Sequence, residues 1–521
     1  MLVLITFLLL LVTAASIAIL HFARPDRPYS WLIASGGAFM AWISVFFWQL
    51  DMPARLSLPA WEPQSLFTAS PSLLVDGLSW PYALSLVTLT LALMLTSIIR
   101  KPFPDMLAWA GTLAMTAMGL IAVLADNPLT LVLGWAAIDI VELTTTLRSV
   151  NGAEVSEKAV IAFAIRITGL GIVLWASMAS LSAGIPLDFE TPPAQVGLYL
   201  LVAAGLRLGV LPLHLPYTNE PALRRGFGTM LRLVSAASSL VLLARVQLGS
   251  VDSPVTPVLL WLTAIAALFG GWQWLRASDE LTGRPFWVIG MGSLAVGAAL
   301  NANPVGSVAW GAALILASSV LFLYSVRQTW LTRLLMPTLV GLSALPFTPA
   351  AAGWIPNSSR EVSWLFWLAF IPTQAMLMAG FVRHIRQPSV TSLTSQPRWT
   401  QVIYPTGLLL PILVHLALAL WGWDGALNAG NWWVGTAASG LALALYWLGR
   451  KTSLLTPRQA HWVRPGTATI LDRFYGSFWG LYRLLGRASA ALANALEGDG
   501  GMVWIILVLV LFISLLRQAG G

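Results

Sequence analysis

Not one cysteine occurs in the 521 residues, so the chain carries no disulfide, thiolate metal site, iron–sulfur cluster or thiol nucleophile of its own. Any redox chemistry around it belongs to a partner. Charge is nearly as scarce. Only 10% of the residues are charged, against roughly 25% in an ordinary soluble domain. No glycine-rich phosphate loop, zinc motif or nucleophile triad stands out, and no cofactor is implied. The G-x-G fragments at 169–171 and 290–292 fall in apolar stretches and read as close helix packing. The first apolar stretch, residues 1–22, has no basic segment before it and no small-residue cleavage site after it. It reads as a retained helix, not a signal peptide.

What is present is apolar: 57% hydrophobic residues and a mean hydropathy of +0.78, more than a soluble core absorbs. Apolar runs of about twenty residues, each long enough to cross roughly 30 Å of hydrocarbon, recur along the chain. They are continuous and not alternating, so the spanning form is helix and not barrel strand. About sixteen spans are expected. Their centres lie near Leu11, Met40, Thr88, Ala117, Asp139, Ile172, Val202, Ser238, Leu262, Leu294, Val320, Val340, Ile371, Leu410, Leu441 and Val510. The Gly- and Pro-rich region 341–359 predicts a broken helix. Residues 469–497 space Leu471, Phe474, Phe478, Leu481 and Leu485 as an amphipathic helix among Asp472, Arg473, Arg483 and Arg487, and a last span follows. That helix suits a lipid surface and the side of a neighbouring membrane protein equally well.

A net charge of +8 would suggest nucleic acid in a soluble protein, but here the basic residues sit between spans. Arg24 and Arg27, Arg100 and Lys101, Arg148 and Lys158, Arg224 and Arg225, Arg276 and Arg284, Arg327 and Arg333, Arg383, Arg386 and Arg398, and the group from Arg450 to Arg464 all follow odd-numbered spans. Even-numbered loops offer little beyond Arg55 and Arg360. The positive-inside rule then turns both termini outward, in a bacterial or archaeal inner (cytoplasmic) membrane. The bilayer, not nucleic acid, is the first partner.

Charges inside spans cost about 2.5–3.5 kcal/mol each on insertion scales, so each is a functional candidate. Asp139 and Glu142 lie in the fifth span, Arg166 in the sixth, Arg207 and His214 in the seventh, Arg232 and Arg245 in or near the eighth, and His415 in the fourteenth. Asp139 with Arg207 suits a fixed buried ion pair that holds two helices in register. The competing reading joins a carboxylate to His214 through water as half a proton path. Arg166 and Arg245 read as structural charges anchoring helix ends, and His415 as a hydrogen-bonded core histidine.

Several short motifs resemble the antiporter-like membrane subunits. These are Val75-Asp76-Gly77-Leu78-Ser79, Asn127-Pro128-Leu129-Thr130 leading to Gly134-Trp135, Pro212-Leu213-His214 followed by Leu243-Ala244-Arg245, and Leu345-Pro346 with Gly353-Trp354. That family includes the proton-pumping subunits of respiratory complex I, the large Mrp antiporter subunits, the membrane subunits of energy-converting hydrogenases, and the membrane partner of some inorganic-carbon uptake systems. The resemblance implies an all-α polytopic fold with two inverted five-helix repeats, each with a discontinuous helix, and a lateral-helix extension. The expected organisation is residues 1–104 as three N-terminal spans, 105–250 and 251–385 as the two repeats, 386–450 as peripheral spans, and 451–521 as the lateral helix and last span.

The chain departs from the family pattern at four places. Where the family carries Glu after the Trp of the fifth span stands Ala136, with Asp139 and Glu142 one and two turns on along the same face. The family's Lys of the seventh span is Arg207, which essentially cannot lose its proton. Ser318 and Asn357 stand where second-half lysines are common, and neither titrates near neutral pH. The resemblance implies a membrane subunit of a complex-I-like or hydrogenase-like proton-translocating complex with a partly lost charged axis. Its partners are other membrane subunits, with a soluble redox or zinc-bearing module elsewhere. As an enzyme it would be at most a non-redox subunit of an NADH:quinone oxidoreductase-like translocase. A docking subunit without transport and the membrane half of a bicarbonate or carbon dioxide uptake pump are the alternatives.

Overall fold

Helices, which satisfy their backbone groups internally as lipid requires, make up most of the structure. The computed structural model describes residues 1–24, 30–59, 70–100, 104–149, 153–217, 225–326, 328–355, 363–387, 393–427 and 429–451. Asn357, the amphipathic segment 469–497 and the last span lie outside the described residues. Ten described helices are long and apolar enough to cross a membrane, and three shorter apolar helices join them.

Three helices precede the repeats: α1 (Leu2–Ala23), α2 (Ser30–Phe47) and α3 (Trp80–Thr96). Between α2 and α3 the strands β1 (Ala54–Ser57) and β2 (Ser72–Val75) pair antiparallel, with Ala54 opposite Val75 and Ser57 opposite Ser72. The first repeat follows as α4 (Met106–Val123), α5 (Pro128–Ser149), α6 (Ala153–Ser182), α7 (Gly197–Arg207) and α8 (Phe227–Leu243). After the short α9 (Leu248–Val251), the second repeat comprises α10 (Thr256–Arg276), α11 (Arg284–Leu300), α12 (Pro304–Leu323), the short pair α13 (Thr329–Leu335) and α14 (Thr338–Leu342), and α15 (Trp364–Ile385). Two peripheral helices complete the described chain, α16 (Arg398–Trp421) and α17 (Trp432–Lys451).

Within each repeat the first helix packs on the last, α4 on α8 and α10 on α15. Five spans is an odd number, so α10 enters from the face opposite to α4 and the second repeat runs inverted. α3, α11 and α12 are apolar almost all round and buried along nearly their whole length, as central helices must be. α1, α10 and α17 keep large apolar side chains such as Leu8, Trp261 and Leu443 exposed, where lipid is the apolar solvent.

Both expected breaks are present. α7 stops at Arg207, and residues 208–213 form turns around Gly209, whose φ of 77° suits a residue without Cβ. Pro212 and Pro216 cannot donate to a continuing helix. In the second repeat the helix stops at Leu342, and a 3₁₀ turn over Pro349–Trp354 follows Pro346. The carbonyl of Leu342 is met by Gln374 Nε2 at 2.7 Å, and Gln374 Oε1 accepts from Trp354 Nε1 at 3.0 Å. One amide on α15 thus serves both sides of the break.

Candidate functional site

Asp139 and Glu142 sit three residues apart on α5, so their carboxylates share a face. Both are buried, at 0% and 1% exposure. Arg207, the last residue of α7, donates Nη1 to Asp139 Oδ2 at 2.7 Å and Nη2 to Asp139 Oδ1 at 2.8 Å. This two-pronged grip is the strongest form an ion pair takes. The carbonyls released at the C-terminus of α7 add negative potential beside the guanidinium. Arg207 also donates to the Arg166 carbonyl at 3.1 Å and to Ser239 Oγ on α8 at 3.3 Å. Its guanidinium carbon lies 4.1 Å from the centre of the Trp135 ring.

Arg166 on α6 pairs with Glu142 and places Nε 3.8 Å from Asp139 Oδ1. Arg232 on α8 pairs with the other oxygen of Glu142, and its guanidinium lies 4.4 Å from the Tyr217 ring centre. Two carboxylates and three guanidiniums therefore join α5, α6, α7 and α8, with a net charge of +1 if all are ionised. Trp135 and Tyr217 offer ring faces to two of the three cations, which favours the excess positive charge in a buried place. Gly169 makes the approach of α6 to α7 feasible, because a Cβ there would crowd the aliphatic stem of Arg207.

The structure brings Asp139, Glu142, Arg166, Arg207 and Arg232 together. Arg166 lies thirteen residues into the thirty-residue α6, roughly 20 Å from its start at 1.5 Å per residue. It is a mid-helix member of the cluster, not the helix-end anchor that the sequence suggested. His214 is half-buried on the broken segment, with Nδ1 2.9 Å from the Pro212 carbonyl. Arg245, just past α8, pairs with Asp76 in the turn before α3. Burial alone would raise the Asp76 carboxyl. Arg245 and the hydrogen bonds from Ser79 outweigh burial and hold it below the usual carboxylate range. Ala136 is half-buried, and Ser318 Oγ donates to its own helix at Ile315, 3.0 Å away.

Sequence reasoning named Trp135 only as a motif residue and missed Ser239 and Tyr217. Trp135 had a signal, since it lies one turn before Asp139 on the same face. Ser239 and Tyr217 had none, because their place depends on how helices turn toward each other. Arg284 was read as a loop residue; the structure buries it at the start of α11, with Nη1 3.3 Å from Thr229 Oγ1.

No protein-family model matches the chain, and no curated protein matches it in sequence. Solved structures do match in shape. A chain of the Mrp complex from Dietzia sp. DQ12-45-1b superposes with a TM-score of 0.70 at 14% identity, over 99% of this chain and 63% of that one. This chain thus spans 63% of the length of that Mrp chain. A chain of the membrane-bound sulfane sulfur reductase, an archaeal respiratory membrane complex, gives 0.60 at 14% identity, over 98% of this chain and 99% of that one. A chain of respiratory complex I from Thermus thermophilus with bound NADH gives 0.61 at 16% identity, over 84% and 99%. At such identities the likeness is one of fold. The chain is a multi-pass membrane protein with the fold of the antiporter-like membrane subunits.

Proposed function

We propose that this chain is a membrane subunit of a complex-I-like or hydrogenase-like ion-translocating assembly, and that its first-repeat charges form a fixed network and not a proton relay. The observation that carries this reading is the arginine grip on both carboxylates, above all the two-pronged hold of Arg207 on Asp139. A relay needs groups that trade a proton near neutral pH. Arginine does not give one up, and protonating Asp139 would forfeit its bonds to Arg207. The whole chain has only three lysines, Lys101, Lys158 and Lys451, and none belongs to the cluster. Translocation then falls to other membrane subunits of the assembly, which this chain holds and couples. Its termini face outward and its arginine-rich loops face the cytoplasm.

The test is proton flux in vesicles holding the purified assembly, with thermal stability measured alongside. Asp139→Asn strands Arg207 and is expected to cost about 3–5 kcal/mol, as breaking a buried pair does. Flux per intact assembly should stay at the wild-type level. Wild-type stability with lost flux would overturn the reading and make Asp139 a proton carrier.

A further inference from the structure

Buried threonines in these helices commonly donate to the carbonyl one turn back: Thr90 to Leu86, Thr112 to Ala108, Thr263 to Leu259 and Thr373 to Ala369. Thr338 does not. It opens α14 directly after the turn at Met336 and Pro337, and its Oγ1 is buried without a hydrogen-bond partner. Three residues on is Gly341, against which α16 comes so close that a Cβ would strike the His415 ring. Positions 338 and 341 lie three residues apart on α14 and so share a face of the helix. His415 is 1% exposed, and neither of its ring nitrogens has a partner. The two unpartnered ring nitrogens of His415 thus lie at the seam between α14 and α16, and the unpartnered Thr338 hydroxyl stands one turn before Gly341 on α14.

A neutral imidazole has one N–H to donate and one lone pair to fill, and leaving both unmet in an apolar place is costly. His384 shows the satisfied alternative in the same molecule: its Nε2 lies 3.1 Å from the Trp274 carbonyl and its Nδ1 lies 3.3 Å from Gln387 Nε2. Buried water is the usual remedy where several polar atoms converge without protein partners. Among the described residues, the elements that pack most on α16 bring no charged group to His415. Of the elements packed on α16, α3, α12, α14 and the 3₁₀ turns at 97–99 and 349–354 bring no charged side chain. Arg333 of α13 is exposed, and on α16 itself Arg398 stands at the far end. The Tyr404 hydroxyl on α16 is taken by the backbone of Ser325 and Val326. Tyr82 of α3 contacts the carbonyls of Leu240 and Ser307.

We propose that the seam between α14 and α16 is a water-binding site built on His415 and Thr338, in which the imidazole accepts and releases a proton. The step is one proton transfer: the lone pair of the unprotonated ring nitrogen binds a proton passed through the bound water, and returns it by the same route. The site stands whether or not Asp139 is fixed.

Hydroxyl-radical labelling of the full chain in lipid tests the water. Radicals form where water is held, so His415 is expected to be oxidised at least tenfold faster than the buried, hydrogen-bonded His384. Equal protection of the two histidines would overturn the proposal. Nitrogen-15 NMR of the histidine-labelled chain tests the proton, with the His415 signal identified by its loss in His415→Gln. It should receive magnetisation from water and change from a neutral to an imidazolium pattern between pH 8 and pH 5. One unchanging neutral pattern without water transfer would defeat it. His415→Leu adds a sign test, since in a dry seam it removes two unmet atoms and raises Tm, whereas in a hydrated seam it lowers Tm.

Discussion

Arg207 shows what one substitution does to the chemistry a helix bundle can perform. A lysine there would be a single charged point able to lose its proton, whereas the guanidinium is a planar fork that fills both oxygens of Asp139 and lies over Trp135. Arg207→Lys is therefore expected to lose one charge-assisted bond and the ring contact, costing about 1.5–3 kcal/mol, with Arg207→Gln costing more. Thermal melts of the two variants would settle the order, and a lysine variant as stable as wild type would deny the fork its role. The Asp76–Arg245 pair offers a pH test outside the spans. Because the folded carboxyl titrates below its unfolded value near 3.9, the pair stabilises fully above about pH 5 and ceases to as pH falls through the folded pKa. Asp76→Asn should thus be less stable than wild type at pH 7, and the gap should close on acidification. A gap constant down to pH 2.5 would refute it. The sequence exposed the charged members of both groups, since charges in apolar runs are conspicuous. It did not show that Arg245 reaches Asp76, 169 positions away, because pairing depends on helix depth and rotation.

At the scale of elements, the broken helices were legible because proline removes a donor wherever it stands, and Pro212, Pro216 and Pro346 announce themselves. How the break in the second repeat is repaired was not legible. Gln374 stands on α15, twenty positions beyond Trp354, and nothing local in its surroundings marks it as the partner of Leu342. Gln374→Leu would leave the Leu342 carbonyl and the Trp354 indole N–H buried and unmet, at about 1–3 kcal/mol for each. Ser318→Ala, by contrast, removes one bond that the serine makes within its own helix, and should cost less than about 1 kcal/mol. Chemical denaturation of the two variants side by side checks the contrast. Equal losses would mean that the break is held by something other than the glutamine.

Across the whole molecule, the order of the spans predicts which loops can touch. Arg55, between α2 and α3, pairs with Asp126 between α4 and α5 at 2.6 Å and with Asp188 between α6 and α7 at 2.7 Å. Arg225, ahead of α8, donates to the Tyr324 carbonyl after α12 at 2.9 Å and pairs with Glu280 between α10 and α11. Arg383, near the end of α15, reaches the Ala277 carbonyl at 2.7 Å. Even-numbered loops meet even and odd meet odd, as an alternating path requires, and a span gained or lost between them would have put these partners on opposite faces. The arginine-rich end is the one formed by the odd loops, so the positive-inside rule predicts that it faces the cytoplasm and that Met1 faces outward. The absence of cysteine makes the test direct. Ser57→Cys, exposed on β1, should react with a membrane-impermeant maleimide in intact cells stripped of their outer layers. Ser395→Cys, exposed in the loop between α15 and α16, should react only after the membrane is opened. The reverse pattern would invert the orientation and leave the fold intact. Labelling of both from one side would break the span order itself, and with it the inverted relation of the two repeats.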